Sequence, residues 1–135
     1  MTLLIDTNVI LDVLEKREPF FHDSFSALRL ATVSKHKILF SASSVKDVFY
    51  LVRSHTGSVE NAKSAVTKLL TLVQVCDTLA SDINTAETYA IADFEDAVLA
   101  ATAVREKADY IISRNQKDFA GSTVKAISPS DYISA

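Results

Sequence analysis

Apolar and polar residues follow two rhythms along this chain. Five short runs are almost continuously apolar and rich in β-branched residues: "TLLID" (2–6), "KILFSA" (37–42), "LVQVCD" (72–77), "DYIIS" (109–113) and "TVKAIS" (123–128). Runs of that length and composition predict strands, and their lack of a polar face predicts strands covered on both sides, as in a parallel sheet. The stretches between them repeat apolar residues every three or four positions, the helical period. These are "NVILDVLEKR" (8–17), "HDSFSALRLATVSK" (22–35), "SVKDVFYLVRS" (44–54), "VENAKSAVTKLLTL" (59–72), "SDINTAETYAIA" (81–92) and "EDAVLAATAVREK" (95–107), with "SPSDYISA" as one closing helical turn.

Strands alternating with helices predict an α/β architecture. Right-handed returns to a parallel sheet put all strand carboxyl ends on one edge, and ligand sites form there. The expectation is a three-layer α/β/α domain around a central, mostly parallel, roughly five-stranded sheet, with residues 1–135 forming one domain. At 135 residues the chain is long enough to bury a core without staples, since about two-thirds of the unfolded surface is removed at this size.

Composition narrows the chemistry. Two isolated glycines leave no Gly-rich phosphate loop, and the single cysteine, Cys76, can form no internal disulfide and reads as a buried structural thiol. The N-terminus "MTLLID" lacks a basic segment followed by a long apolar core, and no apolar run approaches the ~18 residues of a membrane span. A cytoplasmic protein is expected, without a membrane partner. The net charge of −3 argues against a protein that coats nucleic acid, but not against an enzyme whose acidic centre has a local basic rim.

Acidic residues cluster at the junctions that such a fold gathers. Asp6 ends the first strand, Asp47 lies one turn into the helix after the second, Asp93 and Asp96 open a helix, and Asp118 follows the fourth strand with Asn115 three residues before it. Each has a structural reading: Ser44-x-x-Asp47 and Asp93-x-x-Asp96 resemble capping boxes, and Asn115 suits a turn cap. Gathered at one edge, these carboxylates would repel one another unless a cation sits among them. Oxygen ligands alone suit Mg²⁺ or Mn²⁺, and the chemistry of such ions is phosphoryl transfer, including phosphodiester hydrolysis. His22, His36 and His55 have no metal-ligand spacing and read as surface or packing residues.

Four segments, "LLIDTNVILDVL", "SSVKDVFYLV", "DFEDAVLAATA" and "IISRNQKDF", resemble the signature segments of PIN domains in order and separation, from Thr2 to about Ser128. The resemblance is closest to the VapC-type toxins of bacterial toxin–antitoxin pairs. It implies a Mg²⁺- or Mn²⁺-dependent endoribonuclease with Asp6 and Asp96 as core metal ligands, Asp47 as the second acid and Asp118 as the fourth. It also implies that Thr7 or Asn8 fixes the Asp6 carboxylate and that Asn115 supports the fourth segment. Two positions depart from the family's pattern: the second acid is usually Glu, and many relatives carry their fourth acid where Asn115 stands.

Asp93, one helical turn before Asp96, is either a cap or a further supporting ligand. Glu95 reads as solvated and Asp12 as a surface residue. For substrate phosphates the candidates are Arg114, Lys46 and Lys117, with Arg53 also near the acids and Arg114 suited to a bidentate contact. Phe20, Phe21, Phe25, Phe49 and Tyr50 have the spacing of core residues. The expected partner is single-stranded or structured RNA; a single strand suits an edge cleft better than a duplex does, because its bases can be splayed. The resemblance further implies a homodimer and an antitoxin partner. A non-catalytic PIN-like module that binds RNA or serves as a scaffold, its metal site degraded, stays open. A haloacid-dehalogenase-like phosphatase is disfavoured because Asn8 stands where that class needs a second Asp, and a receiver domain lacks support from paired acids.

Overall fold

The computed structural model describes all residues from Met1 to Ala135. Five strands form one parallel sheet: β1 (Thr2–Ile5), β2 (Lys37–Ser41), β3 (Gln74–Cys76), β4 (Tyr110–Ile112) and β5 (Ala126–Ile127), in the order β3-β2-β1-β4-β5. All are shorter than the apolar runs predicted, most of all the edge strands β3 and β5. An edge strand has a neighbour on one side only, so pairing ends where that neighbour ends.

The helices are α1 (Thr7–Leu14), α2 (Phe21–Val33), α3 (Ala42–Thr56), α4 (Val59–Leu72), α5 (Ala80–Glu87), α6 (Phe94–Arg105) and α7 (Pro129–Ser134). Each falls on a segment whose period predicted it. A short 3₁₀ turn, Gln116–Phe119, was not foreseen. Gly57 stops α3 in the left-handed conformation at φ 66°, where a residue without Cβ is unstrained.

Strand alternation builds the three layers. Leu3, Ile5, Ile38, Phe40 and Ile112 point to one face and pack with α1 to α4 and Tyr132 of α7. Leu4, Leu39 and Ile111 point to the other, against Leu99, Ala100 and Ala103 of α6, and α5 packs outside α6 through Ala86. Full burial of a side chain such as Phe40 contributes about 1.5–3 kcal/mol. The thiol of Cys76 is buried as expected, and burial pushes its pKa up to about 11. No helix is long and apolar enough to cross a membrane.

Strand order turns around at β1, whose successors in the chain lie on one side and β4 and β5 on the other. That is the switch point of an open α/β sheet, where the connections diverge and leave a crevice at the carboxyl ends. Asp6 leaves β1 there, α3 leaves β2, and Ser113–Asn115 leave β4.

The aromatic expectation holds only for Phe21 and Phe49, which are half-buried, Phe49 against the main core. Phe20, Phe25 and Tyr50 are exposed. Phe25 stacks on Phe21 (centroids 5.5 Å apart) and Tyr50 meets Phe49 edge-on (5.3 Å), so helical spacing reported contact between neighbours rather than burial of each ring.

Candidate functional site

A cleft of about 730 Å³ opens at the carboxyl edge, and Asp6, Asp47, Asp93, Asp96, Asn115 and Asp118 all line it. Asp6 is both a cap and a site residue. It is the N-cap of α1, with Oδ1 accepting from the Thr7 amide at 2.8 Å. Its Oδ2 accepts from Ser113 Oγ at 2.7 Å and, at the long distance of 3.4 Å, from Asn8 Nδ2. The support from Thr7 therefore comes from its backbone, and that from Asn8 is weak.

The main anchor, Ser113, was missed in the sequence. It is fully buried, and its hydroxyl also accepts from the Asn115 amide at 3.0 Å. The signal was available: a serine closes the otherwise apolar run "DYIIS" at a strand end that the fold aims at Asp6. Burial raises the Asp6 pKa. The Ser113 and Thr7 hydrogen bonds pull it down, Asp118 pushes it up, and Arg114 pulls it down.

Asp96 begins α6, whose N-cap is Asp93; Asp93 Oδ1 accepts from the Asp96 amide at 3.0 Å. The Asp96 pKa is pushed up to about 7, first by burial and then by the charges of Asp93, Asp6, Asp118 and Glu95. Glu95 is solvated as expected but belongs to the cleft, close enough for its charge to be felt. Asp118 sits exposed on the 3₁₀ turn, whose first bond runs from the Asp118 amide to the Asn115 carbonyl at 3.0 Å.

Asp47 stands apart. It lines the same cleft, but its nearest charged contact is Lys46 Nζ at 3.5 Å, and it is not among the charges that raise Asp6 or Asp96. The Ser44-x-x-Asp47 capping box does not form. Helix α3 starts at Ala42, Ser41 is its N-cap, and Ser44 Oγ lies 2.7 Å from Ser41 Oγ instead of capping an amide.

Two cation assignments are corrected. Arg114 does not face the cleft: its Nε donates to Asp12 Oδ2 at 2.8 Å and its Nη2 to Asp12 Oδ1 at 3.2 Å, and its guanidinium lies 3.8 Å over the Phe20 ring. Asp12 is fully buried rather than a surface residue, and Ser24 Oγ donates to it at 2.9 Å. Its neighbours Val9, Ile10, Leu11 and Val13 are buried too, so α1 has no solvent face to offer it. Burial demands a counter-charge, and Arg114 is spent supplying it. Lys117 is exposed and lines no part of the cleft; Lys46 lines it beside Asp47.

No three His, Cys, Asp or Glu side chains converge closely enough to enclose an ion by themselves. The donor set still fits a hard cation. It is made of oxygens only, Asp96 has no cation beside it to hold its pKa down, and Mg²⁺ characteristically takes one or two carboxylates plus waters.

Comparison with known proteins agrees with this fold. Among solved structures of similar fold are VapBC2 from Rickettsia felis bound to a promoter DNA fragment (TM-score 0.77, 18% identity, covering 95% of this chain and 98% of that one). A toxin–antitoxin complex from Klebsiella pneumoniae gives TM-score 0.70 at 19% identity, covering 94% of this chain and 97% of that one. Mycobacterium tuberculosis VapC20, a toxin that cleaves the sarcin–ricin loop, gives 0.64 at 15%, covering 81% and 86%. No curated protein matches the sequence. The sequence model of the PIN domain matches residues 2–117, and the chain belongs to the PIN domain family.

Proposed function

We propose that this chain is a Mg²⁺- or Mn²⁺-dependent endoribonuclease that hydrolyses single-stranded RNA and is the toxin of a toxin–antitoxin pair. One observation carries the reading: Asp6, Asp96 and Asp118 line one cleft, and after burial the charges of Asp93, Asp6 and Asp118 raise the Asp96 pKa with no cation paired to it. Asp6 and Asp96 would hold the ion together with waters, and Asp118 and Asp47, which line the same cleft, would act on it through those waters. A bound divalent cation supplies Lewis acidity and a water of lowered pKa for attack on a phosphodiester.

The chain's own residues do the positioning. Ser113 and the Thr7 amide each fix one oxygen of Asp6. The Asp93 cap sets where α6 begins and so where Asp96 stands, and the Asn115 carbonyl holds the turn of Asp118. The cleft lies at an open sheet edge, where a single strand can splay its bases. Tyr50, Leu51, Ile83 and Phe94 present exposed apolar surface along it, which suits an antitoxin segment. A second copy of the chain is the other proposed partner.

The alternative, a scaffold that has lost its metal, draws on the Lys46–Asp47 pairing and on the absence of a ready-made cage. Calorimetric titration of Mn²⁺ into wild type and Asp96→Asn, followed by incubation with labelled single-stranded RNA, decides between them. Binding and cleavage in wild type, both lost in the variant, support the nuclease. No binding at millimolar metal leaves the scaffold.

A further inference from the structure

A second polar cluster stands in the same cleft and is not used by the acidic site. Glu15, at the end of α1, is mostly buried, and its Oε1 lies 3.0 Å from Arg17 Nη2. Both of its oxygens lie 3.0 Å from His55 Nδ1, and Arg17 Nη2 is 3.4 Å from that same nitrogen. Each partner is therefore gripped through one nitrogen. Nε and Nη1 of Arg17 and Nε2 of His55 have no protein partner, and both residues line the cleft.

Helix α3 sets the cluster's distance from the acids. Asp47, Tyr50, Leu51 and His55 all line the cleft at the i, i+3, i+4, i+8 spacing of one helix face. At 1.5 Å per residue, His55 lies about 12 Å along the axis from Asp47. That is too far to touch the bond cut at the acids, and within reach of a neighbouring phosphate on the same strand. Other cations do not compete for the role: Arg114 is bound to Asp12, Lys46 lies beside Asp47, and Arg53 and Lys117 line no part of the cleft.

We propose that Arg17 and His55, held in place by Glu15, form a phosphate-binding subsite that grips the RNA strand away from the scissile bond. The free Nη1 of Arg17 offers a charge-assisted donor to one phosphate oxygen, while Nη2, the nitrogen that either parallel fork would need, stays with Glu15. This rests on the ribonuclease reading above.

The test uses the full chain and a fluorescein-labelled single-stranded RNA. Binding is read by anisotropy in EDTA, where no cleavage occurs, and turnover in Mn²⁺. Arg17→Ala is expected to weaken binding several-fold and to lower the slope of log Kd against log salt by about 0.7, the value of one phosphate contact on a single strand. KM rises and kcat holds. His55→Ala weakens binding without changing kcat.

Arg17→Lys retains the salt slope but not the full affinity, and it decides the matter if Arg17→Ala does not fold. Variants that bind with wild-type affinity and slope overturn the subsite while leaving the nuclease intact. Variants that lose thermal stability and kcat together, with the salt slope unchanged, reduce the cluster to a tie between α1 and α3. A wild type that binds no RNA overturns both readings.

Discussion

The molecule handles acidic residues in its interior in two opposite ways. Asp12 and Asp82 are fully buried, and each receives an arginine through two nitrogens together with a hydroxyl: Arg114 and Ser24 for Asp12, Arg105 and Thr102 for Asp82. Burial works to raise the Asp82 pKa, yet the Arg105 hydrogen bonds bring it below the ordinary value. At the cleft no arginine is paired with Asp6 or Asp96, and burial raises both pKa values, for Asp96 with the charges of Asp93, Asp6, Asp118 and Glu95 added. Removing a carboxylate from water requires compensation in either place. Where the chain supplies the counter-charge, the pair is architecture; where it withholds one, the carboxylate holds its proton more tightly or takes up a cation.

Breaking the first kind should have the largest effect. Asp12→Ala leaves the Arg114 guanidinium unpaired and partly buried, and should cost about 3 kcal/mol in urea unfolding, the lower end for removing one member of a buried pair. It also releases the loop that carries Ser113 and Asn115, so Mn²⁺ affinity should fall with stability. If Arg114 were a phosphate ligand, Asp12→Ala would leave stability nearly unchanged and weaken only RNA binding.

The second kind should respond to the ion itself. Mn²⁺ at a hundred times its Kd should stabilise wild type by about 2.7 kcal/mol in thermal unfolding, and Asp96→Asn should lose most of that gain. Equal stabilisation of the two proteins would place the ion elsewhere and remove the contrast between the regions.

Without metal, the contrast has a pH signature. The folded-state pKa of Asp96, about 7, lies above its ordinary value of 3.8, so the folded chain holds this proton more tightly than the unfolded chain does. The group's contribution to stability is therefore fully present below about pH 4 and is lost as pH rises to 7. In EDTA, Asp96→Asn should flatten that decline and melt a few degrees above wild type at pH 8, with little difference at pH 4. A variant less stable than wild type at pH 8 would show that the Asp96 carboxylate is compensated after all.

How much of this was legible in the sequence follows from what sequence encodes locally. Every helix announced itself by its period, and the central strands by apolar runs bounded by polar residues. The sheet-edge acids were legible because the junctions they occupy are local features and α/β connections bring those junctions together. What escaped were pairings across the chain. Asp12 and Arg114 are 102 residues apart, and Ser113 and Asp6 are 107 apart. No pattern in either neighbourhood names the other. The burial of Asp12 did leave a trace, an acid enclosed by Val9, Ile10, Leu11 and Val13, but a helix of eight residues could equally have kept one face in water.

Asp47 tests where the division falls, with the smallest expected effect on stability. It shares the cleft with Asp6 and Asp96 but not their mutual repulsion, and its partner Lys46 is mostly exposed. An exposed pair of this kind contributes about 0–1 kcal/mol, so Asp47→Asn should shift urea unfolding by no more than about 0.5 kcal/mol. Its effect on Mn²⁺ affinity then separates two meanings of position. A clear loss of affinity with stability unchanged would assign Asp47 to the acids that await a cation, reaching it once Lys46 lets go. Unchanged affinity would leave Asp47 as half of an ordinary surface pair that happens to face a metal site, and the functional centre would reduce to Asp6, Asp96 and the turn that carries Asp118.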